Sequence, residues 1–174
     1  MTAQQTAAET AAETAAQTAA ATALFAWNQQ IERAQKLFTT RSDEDLRKEI
    51  APGKNRLIYL YGHLVAVHDG MRPLLGIGAR LHPELDAPFL QERDRGVTDA
   101  DLPSAADLKR MWDEVHGSLA DGFGKFTAED WVGKHTAVSD EDFAKNPLRN
   151  RLAVLLSRTS HIAYHVGQGV LIKE

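Results

Sequence analysis

RLAVLLSRTSHIAYHVGQGVLI, residues 151–172, decides how the rest of the chain reads. It has the pattern of an amphipathic helix near the C-terminus. Each residue of a helix advances the side chain by about 100°. Val154, Ser157, His161, His165, Gln168 and Ile172 therefore share a stripe that is apolar at its ends and polar in the middle. His161 and His165 stand at i and i+4, one above the other, so both imidazoles can aim at one spot. A core-facing stripe with two histidines at its centre is costly unless something satisfies them. A metal ion does so. Hydrogen bonds to core neighbours or a solvated face are the alternatives, and the pair alone leaves all three open.

Working outward, a third histidine is placed in the same way on another helix. Residues 55–72, NRLIYLYGHLVAVHDGMR, form a helix in which Arg56, Tyr59, Leu60, Val67 and Gly70 share the side of His63. The company is mostly apolar, so His63 is expected to face the core. His68 lies about 140° away and reads as a surface or boundary histidine. Gly62 and Gly70 weaken this helix but let another helix or a ligand approach closely. Pro73 ends or kinks it.

Two more core helices complete the set. In residues 24–38, LFAWNQQIERAQKLF, the positions Leu24, Trp27, Ile31, Ala34 and Phe38 repeat at 3, 4, 3, 4, the seam of a packed bundle. Asn28 stands at the edge of that seam, as a surface amide or as a polar group at the rim of a central pocket; the surface reading is preferred. Residues 104–121 carry the stripe Leu108, Met111, Trp112, Val115 and Leu119, with Ser104 and Asp107 placed as a capping pair and His116 beside the stripe. Ser42, Thr127 and Ser139 look like caps of shorter helical turns.

Between these helices, residues 76–103 show no sustained period, and a connection of that length is often a lid or binding loop. His82, Glu84, Asp86, Glu92 and Asp94 lie in it and read as solvated. At the other end, residues 1–23 are low in complexity, with Thr2, Thr6, Thr10, Thr14, Thr18 and Thr22 at intervals of four. They read as a frayed tail or as a helical extension of the first core helix.

The chain thus divides into a 1–23 Ala/Thr segment and a 24–174 helical domain, an all-α four-helix bundle with long connections. At 174 residues it can bury a core and enclose a pocket. The net charge is −4 with no basic stripe, which argues against nucleic acid as partner. There are no cysteines, so disulfides, thiolate ligands and cysteine nucleophiles are excluded, and a metal site must use histidine, carboxylate or water. No apolar run approaches the length of a membrane helix, and the N-terminus lacks the pattern of a secretory signal; the expectation is a cytoplasmic protein with no membrane partner.

In a bundle, metal sites form from side chains on facing helices. His63, His161 and His165 supply three neutral donors and leave at least one position open, the pattern of catalytic zinc. An ion there can acidify a bound water, polarise a substrate oxygen, or bind a thiolate substrate. Histidine-only ligation points to a divalent transition metal: zinc or nickel first, then iron, manganese or copper. Ser157 and Gln168 lie a turn or more away, where hydrogen bonds would orient the histidines. Tyr59 is one turn before His63, where it is a core tyrosine or a donor to a substrate oxygen.

The segments LFAWNQQIERAQKLF, SDEDL, NRLIYLYGHLVAVHDGM and SRTSHIAYHVGQGVLI together resemble the DinB-like (YfiT-like) superfamily of metal-dependent enzymes. GHL places the family's first metal histidine at His63, and HIAYHVGQ resembles its HxxxHxGQ ending at His161 and His165. The resemblance covers about residues 20–174. It implies an up-down-down-up four-helix bundle, a three-histidine divalent metal site and a homodimer. It implies a small-molecule substrate, with S-transfer from a low-molecular-weight thiol or hydrolysis as the chemistry; the alternative is a non-catalytic metal- or ligand-binding bundle with a structural or stress-related role.

Overall fold

The computed structural model describes residues 3–172, and all of its regular structure is helical. Eight α-helices follow in order: α1 (Ala3–Thr39), α2 (Asp43–Arg47), α3 (Leu57–Asp69), α4 (Met71–Leu75), α5 (Ala105–Phe123), α6 (Ala128–Val132), α7 (Asp140–Lys145) and α8 (Arg151–Gly169). Among the described residues there is no strand, only the isolated bridges Glu49–Arg56 and Lys134–Asn150. The starts are written locally: Ser42, Ser104, Thr127 and Ser139 each accept the backbone N–H three residues on, and Asn150 does the same for α8.

The long helices α1, α3, α5 and α8 make the body. α1 packs on α8, α8 on α3 and α3 on α5. Trp27 of α1 meets the rings of His116 and Phe123 of α5, which closes the four around one core. Phe38 stacks on Tyr61 at 4.3 Å, and Tyr61 meets Trp112 at 5.6 Å. All three side chains are fully buried, each contributing a few kcal/mol by area.

The seam of α1 is as the 3-4 spacing predicts: Trp27, Ala34 and Phe38 are buried, and Leu24 and Ile31 pack against them. The Ala/Thr segment is the first half of the same helix (Thr2 lies outside the described residues). Threonine is tolerated there because Thr10, Thr14, Thr18 and Thr22 each donate the hydroxyl to the carbonyl four residues back, at 2.9 Å. Ala20 and Ala23 are buried, and α1 packs on α6 along the way. Of the two readings of this segment, the helical extension is the one the structure adopts.

Residues 76–103 are more ordered than their lack of period suggests. Pro83–Leu85, Asp94–Gly96 and Asp99–Asp101 are 3-10 turns, and Ala87–Gln91 is a turn of π-helix. Leu85, Phe89, Val97 and Leu102 are buried. His82 and Asp94 are buried as well, contrary to the solvated reading. Asp94 takes the backbone N–H and the guanidinium of Arg56, while the His82 backbone N–H donates to the fully buried Asp69. Each partner is far away in sequence, so no local pattern announces it. The segment is strapped across α3 by these polar contacts and by the apolar anchors between them.

Candidate metal centre

Where α3 packs on α8, three imidazoles converge. His161 Nε2 is 3.0 Å from His165 Nε2 and 3.3 Å from His63 Nε2, and one ring nitrogen of each lies within 4.8 Å of the others. Donors about 2.0–2.1 Å from a tetrahedral ion stand roughly 3.3 Å apart, so these separations suit a metal shell.

The remaining ring nitrogens settle which atoms face the centre. His63 Nδ1 is 2.8 Å from the carbonyl of Phe89, and His165 Nδ1 is 2.7 Å from Gln168 Oε1. Both partners accept only, so each Nδ1 carries the proton and each Nε2 presents a lone pair inward. His161 cannot satisfy this arrangement alone. A proton on its Nε2 can be given well to one neighbour, and its buried Nδ1 has no partner in either tautomer. A cation among three converging lone pairs removes the conflict, and the donor set therefore fits a metal.

The geometry depends on a glycine. A Cβ on Gly62 would come within 2.1 Å of the Phe89 ring. Its absence lets the π-turn sit directly on α3 and bring the Phe89 carbonyl onto His63. Gln168 is held in turn: its amide donates to the Tyr164 hydroxyl at 3.1 Å.

The histidines occupy the flank of α8 rather than the middle of its core face. The buried positions of α8 are Leu155, Ile162 and Gly169, centred about 100° round the helix from His161. The expected core-centred stripe is corrected accordingly: His161, His165, Val154 and Gln168 are half-buried, Ser157 is exposed, and Ile172 alone of the six is buried. The site stands at the edge of the core, where solvent and solutes reach it. Burial, and after it the repulsion a protonated His161 would meet from His165, His63 and Arg158, pushes the His161 pKa down to about 4. Burial likewise lowers that of His165, against the opposing bond to Gln168. Both are neutral donors at pH 7.

The other residues singled out by sequence are spread more widely. Tyr59 lies parallel to His63 with ring centres 6.4 Å apart, and its hydroxyl donates to the Glu92 carbonyl at 2.7 Å, bracing the strap. Asn28 is exposed on α1. The Ser157 hydroxyl makes no hydrogen bond among the described residues.

His68 overturns the surface reading, being fully buried. Its Nδ1 is 2.9 Å from His116 Nε2, His116 Nδ1 donates to the Trp112 carbonyl, and Trp27 packs on the pair. The reason is that α3 is buried round most of its circumference, all but His63 and Val67 of its thirteen residues, so only the face those two share is partly open and His68 points away from it. The other group that sequence missed is the Phe89 carbonyl. A main-chain acceptor leaves no mark in a sequence, and the sign pointing to it was Gly62.

A family model, the DinB superfamily, matches residues 26–168. The match spans all three histidines and leaves the whole of the 1–23 Ala/Thr segment outside. No curated protein matches the chain.

Proposed function

We propose a metal-dependent enzyme, on the premise that the chain belongs to the DinB superfamily. In this reading His63, His161 and His165 hold a divalent transition ion through Nε2, with zinc or nickel favoured over iron, manganese and copper. The observation that carries it is the convergence of three imidazoles whose outward nitrogens are tied or stranded. When bound, such an ion supplies Lewis acidity, bringing the pKa of a water or thiol in its open position towards neutrality.

The chain's own residues do the rest. The Phe89 carbonyl and the Gln168 amide hold the tautomers and the ring orientations. Tyr59 and the 76–103 strap cover one side of His63. The position of the histidines on the flank of α8 leaves the other side open to a small molecule. The reactions favoured are transfer of a low-molecular-weight thiol to a small electrophile, or hydrolysis. A homodimer belongs to the same proposal.

Cobalt substitution tests it. The expected spectrum is that of a four- or five-coordinate ion, changing when 2-mercaptoethanol is added and absent from the His161→Ala variant. A cobalt spectrum indifferent to both thiol and pH would mean a closed shell, and would favour the non-catalytic metal-binding bundle instead.

A further inference from the structure

One turn before His161, a cleft of about 200 Å³ opens along the first turns of α8. Arg149, Arg158 and His135 line it, with Ser157 at its edge and no carboxylate in its wall. Arg149 lies before α8 and shares its charge with Asp142 across a long 3.7 Å contact. Arg158 shares its charge with no other described residue. Its guanidinium has no ion pair and no hydrogen bond among the described residues, although its Nε is sealed from solvent. His135 Nδ1 is also sealed and unpartnered.

That is an unusual way to keep an arginine. A half-buried guanidinium forgoes part of its hydration and is normally answered by a carboxylate or by carbonyls. Here no described residue answers it, in a hollow that already holds a second arginine and lies near the positive end of a nineteen-residue helix. Burial lowers the His135 pKa, and the charges of Arg149 and Arg151 lower it further.

We infer that this cleft is an oxyanion subsite, and that the molecule served by the three-histidine centre carries a carboxylate or phosphate group which Arg158 holds. Arg158 and His161 are three residues apart on α8, so their side chains emerge as neighbours. An anionic group on the guanidinium therefore places the rest of a small molecule within reach of the imidazoles. The cleft volume suits one such group rather than a whole substrate. This deepens the metal-enzyme reading by naming a substrate class, an anionic small molecule, with an anionic thiol as the case of most interest.

Two titrations separate the inference from the reading on which it rests. The first uses metal-free protein and inorganic phosphate, followed by 31P line broadening and by the rise in melting temperature. Saturable binding is expected, weakened about tenfold or more in Arg158→Gln, since a charge-assisted bond is lost. Arg158→Lys should keep most of it, and Arg110→Gln on the exposed face of α5 all of it. Arg158 pairs with nothing among the described residues, so Arg158→Gln is expected to melt no lower than the parent. Should it fail to fold, Arg149→Gln at an exposed position serves, with an expected loss of about threefold. No saturable phosphate binding, or equal binding in the folded variants, overturns the inference whatever the metal does.

The second titration uses cobalt-loaded protein with 3-mercaptopropionate and with 2-mercaptoethanol. The anionic thiol is expected to bind at least several-fold more tightly, and Arg158→Gln should erase that preference while leaving the cobalt spectrum intact. Equal affinity for the two thiols in the parent contradicts the link between cleft and centre. Loss of the cobalt site itself would instead sink the metal reading and leave the phosphate result standing.

Discussion

His161 makes the smallest-scale case for a cation. It lies 3.0 and 3.3 Å from two nitrogens that are both fixed as acceptors, and its own second nitrogen is buried without a partner. His63 and His165 owe their fixed state to Phe89 and Gln168. Gln168→Ala removes only an orienting bond, and we expect metal affinity to fall about 10- to 100-fold with the helical content unchanged; a competition titration with a chromophoric chelator measures it. Gly62→Ala acts from the other side, driving a methyl into the Phe89 ring. It is expected to cost about 1–3 kcal/mol of stability and to weaken metal binding, because the strap that carries the Phe89 carbonyl must shift. A Gly62→Ala protein with parental urea midpoint and parental affinity would show that the close approach is unimportant. The three ring histidines were legible in the sequence because i and i+4 on one helix and an inward position on another can be counted. The bonds that orient them were legible only for Gln168, a side chain; the Phe89 carbonyl is main chain brought in by tertiary folding.

Among the elements, α3 explains both the success and the failure of periodicity. Counting residues placed His63 beside α8, but it also sent His68 to the surface on the assumption that a helix has a wet side. Nearly every residue of α3 is buried, so His68 ends against His116 of α5. Burial holds the His68 pKa well below its ordinary value and that of His116 at about 4. The folded protein therefore refuses protons that the unfolded chain accepts below about pH 6.5. Stability should be fully present above that pH and decline as the pH falls towards 4, by up to about 1.4 kcal/mol per pH unit for each histidine. Urea midpoints of metal-free protein at pH 7, 6 and 5 should fall in that order, and less steeply in His68→Phe. A midpoint that stays level would contradict the buried pair. The 76–103 strap failed for the related reason that its anchors, Arg56 for Asp94 and Asp69 for the His82 backbone, come from other elements. The seam of α1 and the caps at Ser42, Ser104, Thr127 and Ser139 succeeded because their partners are local.

At the scale of the molecule, the all-α class followed from the apolar seams of the long helices, which need one another to cover them. The long first helix was half legible: alanine favours helix, threonine resists it, and the packing of α1 on α6 and α8 decides between them. No helix among the described residues is long and apolar enough to cross a membrane. What this fold accomplishes is to bring His63 of α3 to the flank of α8, a juxtaposition of residues 98 positions apart. The central claim is that this juxtaposition is a metal centre. Elemental analysis of untagged protein beside its His63→Ala variant tests it most directly. We predict about one equivalent of a transition metal in the parent, lost in a variant that keeps its helical content. No metal in the parent after purification and reconstitution, or one equivalent retained without His63, would contradict the account.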